Sequence, residues 1–226
     1  MHNYPQLILD WSEVWAPLIP LILLFFYRQQ PAFLKPVIIY LCMAFFLNLI
    51  GDFISDFKKY LPQWMQSNNP LYNLHSLVRF ACFASFFISL RQPYFLIMKK
   101  ALPVLSLLFL LLNFTLLENF FNPNHLSGNL LSAEAYLLLV YCLLFYLSQL
   151  KEDVEEIASG PAFWVTTGLC IYVVVNFFVF LFYVPLLNED YMLTDRMWNV
   201  HNIVYILLCL CIAKAFYVSA RPNYSL

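Results

Sequence analysis

The stretch Tyr72-Asn73-Leu74-His75-Ser76-Leu77-Val78-Arg79 opens a long apolar segment. On a helix, Tyr72, His75, Ser76 and Arg79 fall at i, i+3, i+4 and i+7 and share one face. A near copy, Trp198-Asn199-Val200-His201-Asn202-Ile203-Val204-Tyr205, opens the last apolar segment. There Trp198, His201, Asn202 and Tyr205 share the matching face. Histidine and arginine are costly in lipid and need partners or water. Two such faces in one apolar chain predict a polar space inside a helical membrane bundle.

The rest of the chain supports that class. It has 226 residues, 62% hydrophobic and only 11% charged, with mean hydropathy +0.72. Soluble domains carry about 25% charged residues. The reading is all-α, polytopic, one transmembrane domain over 1–226. A net charge of -1 offers no attraction for nucleic acid. The aromatic content suits belts at the membrane interfaces.

Seven apolar runs approach the ~20 residues that cross a ~30 Å hydrocarbon core. They are Ser12–Tyr27, Pro36–Ile54, Leu71–Leu90, Ala101–Phe120, Asn129–Leu150, Pro161–Leu187 and Met197–Ser219. The first is short and contains Pro17 and Pro20, which predict a kink. Trp11 and Trp15 are expected to anchor its outer end. Met1-His2-Asn3-Tyr4-Pro5 lacks the basic region of a signal peptide, so this run is expected to persist as a span. Asn122-Pro123-Asn124-His125 and Ser127-Gly128-Asn129 are turn chemistry. Ser159-Gly160-Pro161 sets a proline at the start of the sixth span.

Lysine and arginine set the orientation. With the N-terminus outside, the cytoplasmic side holds Arg28, Lys35, Arg91, Lys99, Lys100, Lys151, Lys214 and Arg221. The outside holds Lys58, Lys59 and Arg196. The bias predicts N-out, C-in. The acidic run Glu152-Asp153-Val154-Glu155-Glu156 would then face the cytoplasm, as a solvated helix extension or as a docking surface for a partner.

In that frame the strongly polar intramembrane residues gather in the outer half. The expected ligand-binding set is Asn48, Asp52, Tyr72, His75, Arg79, Glu134, Asn176, Trp198, His201 and Asn202. Tyr172 shares a face with Asn176. An unpaired Arg79 would cost at least ~2.5 kcal/mol, so Asp52 or Glu134 is expected to hold it. The same side chains also suit hydrogen bonding between helices with no ligand at all.

Other chemistries find less support. His75, His201 and Asp52 are residue types that bind zinc, which would suit a metal-dependent lipid hydrolase. No H-x-x-H or H-E-x-x-H spacing accompanies them, so no metal, cofactor or catalytic residue is assigned. Four glycines build neither a phosphate loop nor a nucleophile elbow. Lys214 lies too near the cytoplasmic end for a retinal lysine. The six cysteines all fall in apolar runs and read as small buried hydrophobes.

Gly160-Pro161-Ala162-Phe163-Trp164, with Tyr172 and Asn176 downstream, and Trp198 to Val204 together resemble a group of small, uncharacterised seven-helix proteins of Bacteroidetes-type bacteria. Similar helical regions serve there as membrane input modules of sensor histidine kinases. The resemblance implies a receptor-like module. This chain reaches Leu226 without a kinase domain, so output is expected to run through a cytoplasmic or membrane partner protein. The paired openings also resemble a 3+1+3 parallel repeat, as in SWEET-type sugar transporters. His75 and His201 stand 126 positions apart (75 and 201), on spans that run the same way. The first and fifth spans show no matching echo, and no Pro-Gln motif occurs in the expected spans (Pro62-Gln63 is in a loop).

The sequence therefore points to a non-enzymatic sensor or receptor-like membrane protein. It would bind a small or lipid-like ligand in an outward-facing polar cavity and couple to a partner. A small-solute transporter, a metal-dependent lipid hydrolase and a structural subunit of a membrane complex are the alternatives.

Overall fold

The computed structural model describes residues 4–62, 65–90, 92–122, 126–152, 160–186, 189 and 191–220. Among them there are helices and turns and no strand. The helices are α1 (Tyr4–Asp10), α2 (Ser12–Trp15), α3 (Leu18–Phe26), α4 (Lys35–Phe57), α5 (Asn69–Ser89), α6 (Leu96–Leu112), α7 (Gly128–Glu152), α8 (Pro161–Leu186) and α9 (Tyr191–Ser219). The acidic residues Asp153-Val154-Glu155-Glu156 lie outside the described residues. So do Met1–Asn3, Gln63, Arg91, the turn residues Pro123–His125, Ser159 and Arg221.

Six segments are long and apolar enough to cross a membrane: Ala32–Tyr60, Asn69–Ser89, Leu96–Leu117, Gly128–Lys151, Pro161–Tyr183 and Met192–Ser219. The chain is a multi-pass helical membrane protein by this measure. The first expected run is a shorter apolar helix, Ser12–Phe26, and it is broken into α2 and α3 as its prolines predict. Ala16 and Pro17 form the joint, with Pro17 at the N-cap of α3. Proline has no N–H to continue the ladder, so the chain bends there.

Boundaries shift where a polar turn is absorbed into a helix. α9 begins at Tyr191 rather than Met197, and α6 at Leu96 rather than Ala101. α6 ends in a π-turn, Asn113–Leu117. Pro36, Pro70 and Pro161 all sit at helix starts, where a missing N–H costs nothing.

α8 packs against α7 and α9, α4 against α5, α3 along α9, and α2 against α4 and α9. The core between them is aromatic: Tyr40, Phe83, Phe86, Phe87, Tyr141, Phe145 and Phe216 are buried. Phe87 and Tyr141 stack with centroids 5.2 Å apart. In lipid such close packing, more than apolar burial, holds helices together. Gly168 allows a close approach of α8 to α9: a Cβ there would lie 2.5 Å from Cys211 Cβ. α6 lies at the edge, and its Leu105, Leu107, Leu108, Leu111 and Leu112 are exposed.

Candidate functional site

The polar side chains converge where α5 and α9 begin, between α2, α4, α5, α7, α8 and α9. Arg79 is the anchor of one half. Its Nε donates to Glu134 Oε1 at 2.5 Å and its Nη2 to Glu134 Oε2 at 2.6 Å. This bidentate fork joins α5 to α7, and both side chains are almost wholly buried, at 5% and 3% exposure. Ser76 donates to Glu134 Oε2 at 2.6 Å, and Arg79 Nη1 donates to the Tyr172 hydroxyl at 2.5 Å. Glu134, not Asp52, is thus the carboxylate that holds Arg79.

His201 anchors the other half. Its Nδ1 lies 2.5 Å from Asn176 Oδ1 and its Nε2 lies 3.1 Å from Glu13 Oε1. The Tyr72 hydroxyl donates to Glu13 Oε2 at 3.3 Å. Asn48 Nδ2 donates to the Glu13 carbonyl at 2.9 Å, which ties the break between α2 and α3 to α4. Asn176 Nδ2 donates to the Tyr172 carbonyl at 2.9 Å. The Trp198 ring lies 5.0 Å from the His201 ring and 5.6 Å, edge to face, from Tyr72.

Between the halves is a narrow cavity lined by Glu13, Tyr72, His75, Arg79, Leu131, Phe180, Trp198 and His201. Its volume is about 10 Å³, the threshold for a single water. The two histidines face this one space. His75 is buried at 4% exposure and stacks on Tyr40 with centroids 5.9 Å apart. Its Nε2 has no hydrogen-bond partner among the described residues.

Two of the expected residues stand apart. Asn202 turns away from the cavity and donates to the Leu9 carbonyl at 3.1 Å; its i+4 offset from Trp198 carries it to the flank facing α1. Asp52 is half-buried, and its charge interacts with those of Glu13, Asp56 and Asp10 rather than with a cation. It lies one turn further along α4 than Asn48, beyond the hydrogen bond that Asn48 makes to the Glu13 carbonyl.

Among the described residues no three His, Cys, Asp or Glu side chains stand together as a metal ligand set. Both ring nitrogens of His201 are already engaged. The hydrolase arrangement of His75, His201 and Asp52 is therefore not assembled.

Glu13 is absent from the residues that the sequence singles out, although it joins three helices. Its signal was available: it is the sole charged residue between Asp10 and Arg28, inside an apolar run that cannot carry a bare carboxylate. The cavity wall Phe180 has no such signal, being one phenylalanine among 23.

A second, more open cavity of about 150 Å³ adjoins the first, lined by Glu118, Gly128, Asn129, Ser132, Phe180, Leu181 and Pro185. Phe180 belongs to both walls. Glu118 caps the start of α7, accepting from the Ser127 hydroxyl and from Asn113 Nδ2 at 2.8 Å. No protein family matches the chain, and neither a curated protein nor a solved structure matches it.

Proposed function

We propose that the chain is a non-enzymatic sensor or receptor-like protein of a bacterial inner membrane, with seven spans, the N-terminus outside and the C-terminus inside. Its small ligand binds from the outer side between α2, α5, α8 and α9, and the signal passes to a partner protein. One observation carries this reading. The cavity unites two histidines from distant parts of the chain, and the Nε2 of one is buried with no protein partner. A polar atom so placed is costly unless something else bonds to it. The eight-to-three lysine and arginine bias supports the orientation. The resemblance to kinase input modules supports the partner.

The test is thermal unfolding of the purified chain against a panel of small polar compounds, with His75→Ala as the control. The expected result is at least one compound that raises the Tm of the wild type and has no effect on His75→Ala. A panel in which every stabiliser acts equally on His75→Ala overturns the assignment.

A transporter is the second reading, and one feature favours it. The first span sends Glu13 to His201 in the last span, and the fifth sends Glu134 to Arg79 in the third. Under a 3+1+3 repeat these join equivalent pairs of spans, with Arg79 one turn beyond His75, the counterpart of His201. A tyrosine of the second span packs on His75 and one of the sixth on His201, the first stacked and the second edge-on, with centroids 5.9 and 5.8 Å apart. Uptake of a stabilising compound into proteoliposomes separates transport from sensing.

A further inference from the structure

Asn176 determines where a proton sits on His201. Its Nδ2 donates to the Tyr172 carbonyl at 2.9 Å, so its Oδ1 is the atom that meets His201 Nδ1 at 2.5 Å. Turned the other way, the amide would set its oxygen against a carbonyl oxygen. An oxygen acceptor at that distance requires a hydrogen on Nδ1. Neutral imidazole has only one N–H, which leaves a lone pair on Nε2. Yet Nε2 lies 3.1 Å from Glu13 Oε1, and a carboxylate is an acceptor too. Two acceptors in contact repel; one more proton between them makes the contact a charge-assisted hydrogen bond.

The charges of the cluster call for the same proton. Glu13 and Glu134 bring two negative charges and Arg79 one positive. A proton on the Glu13–His201 pair leaves Glu13, His201, Glu134 and Arg79 neutral together, with the half-buried Asp52 at their rim outside that sum, and an uncompensated buried charge is costly. Among the described residues, the ionisable groups near the pair supply no cation besides Arg79. Asp10 lies on α1, Asp52 on α4, Tyr72, His75 and Arg79 on α5, Tyr172 on α8 and Tyr205 on α9. Arg79 is committed to Glu134.

We propose that Glu13 and His201 hold a proton, and that a small alkylammonium ion entering the adjoining cavity displaces it. This rests on the reading of that cavity as a ligand site. The exchange balances: one monovalent cation enters, one proton leaves to water, and the net charge of the cluster is unchanged. The Glu13 carboxylate freed of its proton meets the ammonium charge. Tyr72, Trp198 and Phe180 present aromatic rings, the walls that ammonium groups favour. His75 Nε2 accepts one of the ammonium N–H groups. Entry requires Phe180 to swing, because the closed cavity holds one water at most. The same movement opens it to the larger cavity beside Glu118 and Ser132.

Two measurements on the full chain test this. The first is ¹⁵N NMR of histidine-labelled protein, assigned with His201→Gln, together with the infrared band of a protonated carboxyl group, assigned with Glu13→Gln. Either a doubly protonated His201 or a carboxylic acid at Glu13 is the expected result. A His201 lacking the Nε2 proton, with no band sensitive to Glu13→Gln, overturns the proton site.

The second is calorimetric titration with methylammonium, ethylammonium and choline in two buffers of different ionisation heat, with acetate and urea as anionic and neutral probes. Binding of an alkylammonium with about one proton released is expected, and about a tenfold weaker affinity in Glu13→Gln. The conservative Glu13→Asp should retain part of the proton release, which a merely misfolded variant would not. Failure of all three cations to bind overturns the inference. Binding of acetate or urea, abolished by His75→Ala, would overturn it while leaving the ligand site itself in place.

Discussion

Arg79 and Glu134 form the pair on which single substitutions should weigh most. Removing one partner of a buried ion pair strands the other, at about 3–5 kcal/mol. Arg79→Met or Glu134→Gln should therefore lower the unfolding free energy by that order, read by reversible unfolding in mixed micelles. Replacing both, as Arg79→Met with Glu134→Met, should restore much of the loss, since no charge is then left alone. A double variant as unstable as the sum of the singles would mean that the two side chains act separately. Tyr172→Phe removes only the hydroxyl that accepts from Arg79 Nη1, and should cost about 1–3 kcal/mol. At this scale the sequence was informative in one direction. An arginine among leucines and phenylalanines demands a carboxylate, which was legible. Which carboxylate was not, because the choice depends on the helices that α5 touches. Glu134 lies on its neighbour α7, whereas Asp52 lies at the edge of α4 near other acids. Glu13 was passed over for a related reason: its partners, His201 and Tyr72, come from positions 188 and 59 residues away, and no local pattern announces them.

The long helical elements were readable to within about two turns, because long apolar runs bounded by proline and polar turns leave few alternatives. Their faces were readable in part. The i, i+3, i+7 positions Tyr72, His75 and Arg79, and Trp198 and His201, do meet in one cavity. The i+4 positions fall at the flank of that face, so Asn202 reaches α1 and Ser76 reaches α7. The close contact of α8 with α9 was not readable, since nothing in the sequence pairs Gly168 with Cys211. That contact makes its own prediction. An added methyl at Gly168 would meet Cys211 Cβ at 2.5 Å, and a Cβ is fixed by its own backbone, so α8 and α9 would have to part. Gly168→Ala should cost about 1–3 kcal/mol by overpacking, and Gly168→Leu more, read as a lowered Tm. Gly51, where a Cβ meets nothing within 4 Å, is the control, and Gly51→Ala should be neutral or slightly stabilising through its better helix propensity.

The molecule as a whole poses the question of whether its broken first segment crosses the membrane. Ser12–Phe26 is 15 residues, about 22 Å at ~1.5 Å per residue, against a core of ~30 Å. Length alone would permit a re-entrant segment, giving six crossings and both termini on one side. The contacts of this segment with α9 argue for a crossing. Glu13 bonds His201 near the start of α9, while Gln30 bonds the Phe216 carbonyl and Ser219 at its end. The chain from Glu13 to Gln30 therefore runs beside α9 over about 27 Å, the rise of a helix from His201 to Ser219. If α9 spans, this segment spans with it, and the kink at Pro17 and the extended residues after Phe26 make up the missing length. On the proposed seven crossings the termini would lie on opposite sides, with the N-terminus outside by the lysine and arginine bias. An N-terminal epitope should accordingly be cleaved by protease added to intact spheroplasts. A C-terminal alkaline phosphatase fusion should be inactive, and a C-terminal green fluorescent protein fusion fluorescent. Protection of the N-terminal epitope with the same C-terminal result would leave six crossings. It would also remove Glu13 from the depth of His201, and the polar cluster would have to be rebuilt from α5, α7, α8 and α9 alone.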